Sequence, residues 1–215
     1  MQIQTFLHHN TKILVRFIVT MFASLLLALS TAYANNIDPK LPPAEFIEKV
    51  GNNALQVVID EQDTIRAGDI SAINKIVEEH VLPYINLEKT TRLAVGRHWR
   101  QATEQQRSEL VAGFMNTLIR TYSGAFKGVD KKSKLTILPF RGNPEADDVV
   151  VKSTLSQRDA PTVAIDYRME KTPDGWKIYD INVEGIWLIQ NYRNQFAEEI
   201  SRSGIDGLIK KLKER

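Results

Sequence analysis

The chain has 215 residues, 28 basic and 26 acidic, for a formal net charge of +2, and it contains no cysteine. A balance this close to neutral excludes the global field that steers nucleic acid. With no cysteine, disulfide staples are excluded as well, and the fold must be held by its own core.

Lys12 and Arg16 precede the uncharged apolar run Phe17–Leu29, and Ala32-Tyr33-Ala34 offers small residues at the two positions a signal peptidase reads. Residues 1–34 are therefore expected to be a cleaved secretory signal. The apolar run is short of the ~20 residues a membrane-spanning helix needs. Removing residues 1–34 takes away two basic residues and no acidic one, so the mature chain is expected to be neutral. Residues 35–215 are long enough to bury roughly 70% of their unfolded surface as a single domain.

The helical part is expected over about 42–128. Phe46, Val50, Leu55, Val58 and Ile65 recur at helical spacing after Pro42-Pro43 and predict one long helix to about Arg66. Ala67-Gly68-Asp69 makes a turn into a second helix with Ile70, Ile73, Val77 and Val81 on one stripe, halted by Pro83. A short helix over Leu87 to Val95 stops at Gly96. Thr103 and Gln106 have the form of a capping box, and the helix they introduce carries Leu110, Phe114, Leu118 and Tyr122, flanked by Val111, Met115 and Ile119.

From Lys134 the apolar period changes from 3.6 to 2. Leu135–Pro139, Asp148–Gln157, Thr162–Lys171 and Trp176–Val183 read as four strands of an antiparallel meander, separated by Gly142-Asn143-Pro144, Asp159-Ala160-Pro161 and the Pro173-Asp174-Gly175 turn. Val163, Ile165, Tyr167 and Met169 share one face of their strand, and Ala164, Asp166 and Arg168 the other. Tyr179, Ile181 and Val183 are expected on one face of the last strand, which Gly185 breaks. Ile189, Tyr192, Phe196 and Ile200 then form a helical stripe, and Gly204 separates it from a final helix with Ile205, Leu208, Ile209 and Leu212. The fold class is α+β: N-terminal helices, a four-stranded antiparallel sheet, and C-terminal helices packing on the sheet around an apolar cavity.

Polar chemistry is sparse. His80 and His98 are the two histidines outside the signal, neither has a second histidine at i±4, and no metal site is expected. No G-x-S-x-G and no glycine-rich phosphate loop occurs. Glu145, Asp147 and Asp148 cluster in a loop without the ligand spacing of a calcium site. Lys127, Lys131, Lys132 and Lys134 form one basic run, and Lys210, Lys211, Lys213 and Arg215 another. Each reads as a solvated face or as a docking patch for an acidic partner or a membrane surface.

The block Trp176-Lys177-Ile178-Tyr179-Asp180, then Val183-Glu184-Gly185, then Asn191-Tyr192-Arg193 with Gln195-Phe196, resembles the MlaC family of periplasmic phospholipid-binding proteins, also described as toluene-tolerance auxiliary components. Leu93 to Arg100, Gln105-Gln106-Arg107 and the Phe114, Leu118, Tyr122 series resemble the same family, as does the closing Gly204–Leu212 segment. Trp187 departs from it, because the family more often has a small residue there. The resemblance implies a soluble periplasmic monomer that carries phospholipid between an outer-membrane lipoprotein complex and an inner-membrane ABC transporter with its substrate-binding subunit. It implies no cofactor and no nucleic-acid partner. The acyl tails would sit between sheet and helices, on the apolar faces already identified: Val77, Leu82, Phe114, Leu118 and Tyr122 from helices, and Val151, Val163, Ile165, Tyr167, Ile181 and Val183 from strands.

Periodicity does not separate a lined pocket from a filled core. Two other readings stand beside the carrier: a periplasmic chaperone or adaptor with an external apolar groove, and an enzyme on a cone-shaped α+β fold with Asp166 or Asp180 as its acid or base.

Overall fold

The structure is a computed structural model that describes residues 37–158 and 160–214. The expected signal segment and Asp159 of the Asp159-Ala160-Pro161 turn lie outside the described residues.

Helix α1 (Pro43–Asp60) starts with proline at its first position, where the missing N–H costs nothing. It buries Phe46, Ile47 and Val50. The single long helix expected to Arg66 is in fact two. Glu61 leaves helical geometry at φ −97°, ψ 21°, and α2 (Gln62–Ala67) follows, ended by Gly68 at φ 73°. The chain passes from one core to another within α1, whose Val58 already packs with Ile65. Phe46, Ile47 and Val50 pack with the sheet, whereas Ile65 packs with Ile73 and Ile119.

Helix α3 (Ile70–His80) is capped by Asp69, whose carboxylate accepts from the Ser71 and Ala72 amides at 3.0 and 3.1 Å. A 3₁₀ turn at Leu82–Tyr84 leads to α4 (Leu87–Val95), which Gly96 ends at φ 65°. A second 3₁₀ turn, Gly96–Gln101, precedes α5 (Glu104–Tyr122). The capping box is formed in both directions: Thr103 accepts from the Gln106 amide at 3.1 Å, and Gln106 accepts from the Thr103 amide at 2.9 Å.

The sheet is an antiparallel meander in the order β1 (Lys134–Ile137), β2 (Asp148–Ser156), β3 (Val163–Thr172), β4 (Gly175–Val183) and β5 (Ile186–Trp187). It has five strands rather than the expected four. Gly185 does not end the pairing: Glu184 at φ 51° and Gly185 at φ 86° form a two-residue turn that sets Ile186 opposite Val183. Positive φ at both positions matches the twist of a tight hairpin, and Asn182 Oδ1 accepts from the Gly185 amide at 2.8 Å to fix it.

A second correction concerns the faces of β4. Arg168 lies opposite Asp180 and Met169 opposite Ile178, so Tyr179 has no partner and forms a bulge. The side-chain alternation changes parity there. Ile181 and Val183 share a face with Tyr167 and Ile165, but beyond the bulge Ile178 and Trp176, not Tyr179, continue that face.

Helix α6 (Leu188–Glu214) bends at Gly204, φ 72° and ψ −179°, into the two expected arms. Ile189, Tyr192, Phe196 and Ile200 are all buried, as are Leu208, Ile209 and Leu212. Both arms pack on α5. Phe114 meets Tyr192 and Phe196 edge-on, with ring centroids 4.8 and 5.0 Å apart, a geometry that aromatic quadrupoles favour.

Candidate functional site

The face of the sheet that α1 covers changes character along its length. At one end Val149, Val151, Met169, Trp176 and Ile178 are buried under Phe46, Ile47, Val50 and Tyr84. Toward the other end Leu155, Val163, Ile165, Tyr167, Ile181 and Val183 are each half-buried. The register makes these six a continuous patch, because Leu155 pairs with Val163, Ile165 with Val183 and Tyr167 with Ile181. Five of them belong to the expected lining. Leu155 does not, although it continues the period-2 series from Val151.

The expected helical residues divide into three groups. Val77 packs with Val58 and Met115 around Ile65, Ile73 and Ile119, half-buried like its neighbours. Leu82 is half-buried in the 3₁₀ turn after α3. Phe114 is fully enclosed among α4, α5 and α6, and Leu118 and Tyr122 pack against that same cluster. Val151 is also fully enclosed, beneath α1. Val58 and Met115 were legible as members of helical stripes, but nothing in their spacing marks them as half-buried.

Polar groups near the patch are few and engaged. Ser153, 1% exposed, donates to the Ile165 carbonyl at 3.1 Å. Burial pushes the Tyr167 hydroxyl above its ordinary pKa.

Asp166 and Asp180 lie on the opposite face. Asp166 stands across from Lys152, 3.9 Å away. The Asp180 carboxylate is buried and accepts from Arg168 at 3.0 Å and from the Ile181 and Ile189 amides at 3.0 and 3.1 Å. Burial raises its pKa, while the Ile189 amide and Arg168 pull the other way. These contacts commit Asp180 to joining β3, β4 and the first turn of α6.

Two surface clefts lie apart from the patch. One of about 390 Å³ runs between Pro39–Pro43 and the β3–β4 turn. Another of about 420 Å³ is formed where α4 and its following 3₁₀ turn meet α6. Among the described residues no cluster of three histidines or carboxylates is placed to hold a metal ion, and no helix is long and apolar enough to cross a membrane.

The architecture is that of an α+β protein in which helices close one face of an antiparallel sheet and leave a half-buried apolar patch on it. The family model described as MlaC protein matches residues 48–214, and the chain belongs to that family. The chain is 21% identical over 149 residues to the intermembrane phospholipid transport system binding protein MlaC of Haemophilus influenzae, covering 68% of this chain and 69% of that protein. It is also similar to the solved structure of a phospholipid-binding protein from Ralstonia solanacearum in complex with a phospholipid. The TM-score is 0.74 at 38% identity, covering 81% of this chain and 96% of that one.

Proposed function

We propose that this protein is a periplasmic phospholipid carrier. It takes glycerophospholipid across the aqueous gap between an outer-membrane lipoprotein complex and an inner-membrane ABC transporter with its substrate-binding subunit. It acts as a monomer without a cofactor and catalyses no reaction. The observation that carries this reading is the apolar patch of Leu155, Val163, Ile165, Tyr167, Ile181 and Val183, half-buried on a face that is otherwise closed by helix α1. The relative solved with a phospholipid bound supports it.

The physical need is large. Exposing an acyl chain to water costs about 0.8 kcal/mol per methylene, so a tail of roughly fifteen carbons costs ~12 kcal/mol, comparable to a nanomolar binding free energy. In the proposed site the tails lie on the sheet patch, with Val77, Leu82, Leu118 and Tyr122 on the helical side. Phe114 and Val151 support the walls from behind.

The test is native mass spectrometry of the mature protein purified from the periplasm of a Gram-negative host, before and after solvent extraction. A phospholipid-sized mass increment, removed by extraction, is expected. Protein that is empty in every preparation would overturn the proposal.

A further inference from the structure

The 420 Å³ cleft at the end of α4 is lined by Arg92, Arg97, Arg100 and Arg193, with Leu93, Gly96 and Trp99 between them. Gly96, at φ 65° and ψ −135°, turns the chain out of α4 so that Arg97 and Arg100 of the 3₁₀ turn come round beside Arg92, while Arg193 enters from α6. The site is held from below. Trp99 is buried, Arg107 lies over its ring at 5.6 Å, and Arg107 Nε donates to the Trp99 carbonyl at 3.2 Å. Arg193 Nε donates to the Leu93 carbonyl at 3.0 Å, pinning α6 to α4.

No acidic residue lines the cleft. Among the described residues none of the four arginines is ion-paired with a carboxylate; the two that are, Arg168 and Arg202, lie elsewhere. Four like charges in one concavity repel one another, and among the described residues the offset comes only from neutral acceptors, the Leu93 carbonyl for Arg193 and His98 Nε2 for Arg97. Each guanidinium retains forked N–H donors that match a carboxylate bidentately. On a neutral mature chain this is a concentration of charge that composition does not anticipate.

We propose that this cleft is a docking site for an acidic peptide segment of a partner protein, with carboxylates on the arginine rim and an apolar side chain against Leu93. A recessed cleft admits a peptide more readily than a flat bilayer. The large apolar side chains most exposed on the described surface, Phe126, Leu138, Val150 and Ile186, all lie outside the lining, so the cleft offers nothing to insert among lipid headgroups. The site does not depend on the carrier reading, because none of its residues belongs to the sheet patch.

The experiment is fluorescence anisotropy of a labelled octapeptide of alternating glutamate and leucine, titrated with the mature protein at low and moderate salt. A peptide with glutamine in place of glutamate serves as control. Binding should need the glutamates, weaken as salt rises, and fall at least tenfold in Arg97→Glu/Arg100→Glu, whose positions are exposed and whose fold is checked by circular dichroism. Lys131→Glu/Lys132→Glu, a charge reversal elsewhere, should leave binding unchanged. Three results would each overturn the proposal: no binding of the glutamate peptide, equal loss in both double variants, or displacement of the peptide by millimolar inorganic phosphate. A fourth is that Arg97→Glu/Arg100→Glu abolishes sedimentation with phosphatidylglycerol vesicles while leaving peptide binding intact, which would assign the cleft to a membrane surface.

Discussion

The guanidinium of Arg168 lies 3.7 Å from the centre of the Trp187 indole while its Nη1 donates to the buried Asp180 carboxylate at 3.0 Å. One side chain thus joins β3, the bulged part of β4, and the two-residue β5 that leads into α6. Trp187, the position that departs from the family's more common small residue, has its reason in this stack. Cation–π contacts contribute about 0.5–2 kcal/mol, so Trp187→Ser should lower the melting temperature measurably. Asp180→Ala should cost more, about 3 kcal/mol, because it strands Arg168 and frees the Ile189 amide in a buried setting. Equal melting temperatures for wild type and Asp180→Ala in thermal denaturation would refute this account.

Glu199 supplies a pH-dependent clamp across the Gly204 bend. Its carboxylate accepts from Lys211 and from Ser203, and Arg202 is beside it, holding its pKa down at about 2. A carboxyl group depressed in the folded state contributes stability that is fully present above its unfolded pKa and is lost as pH falls toward the folded value. The contribution should therefore disappear between about pH 4.5 and pH 2. Melting curves of wild type and Glu199→Gln should differ at pH 7 and converge over that interval. A gap that stays constant with pH would contradict the clamp.

Gly175 ends the β3–β4 turn at φ 112°, and a Cβ there would sit 2.4 Å from the Pro39 carbonyl oxygen. The Trp176 amide donates to that same oxygen at 2.8 Å, which ties the segment before α1 to the sheet. Gly175→Ala must both adopt an unfavourable φ and push backbone aside, so a loss of about 2 kcal/mol or more is expected. Urea denaturation would check it, and an alanine variant as stable as wild type would be incompatible with this contact.

Within the proposed lipid site, half-buried and fully enclosed positions should respond differently. Ile165→Glu sets an unpaired charge against acyl chains and should empty the protein of lipid with little change in melting temperature. Phe114→Ala opens a hole among Tyr192, Phe196 and their neighbours and should cost about 3–5 kcal/mol, while the fraction that remains folded still carries lipid. Native mass spectrometry and calorimetry on the same samples separate the two. If lipid content and melting temperature fall together in Ile165→Glu, that residue is ordinary packed core.

Much was legible without coordinates, because it depends on chemistry local in the chain. The Thr103–Gln106 capping box, the stops at Gly68 and Gly96, the Pro173-Asp174 turn and the helical stripe Ile189, Tyr192, Phe196 and Ile200 each rest on contacts a few residues apart, and the structure forms all of them. The α+β class followed from the change of period at Lys134. What went unread depends on partners distant in sequence. The stripe of α1 passes from the sheet core at Phe46 to the Ile65 core at Val58, and the bulge at Tyr179 arises from the register against β3. Apolar spacing says which side of an element avoids water, but not how closely another element approaches it. Only packing decided that Phe114 and Val151 are enclosed while Ile165 and Val183 remain half-buried, and only the docking of α6 on α4 brought Arg193 beside three arginines about a hundred residues earlier.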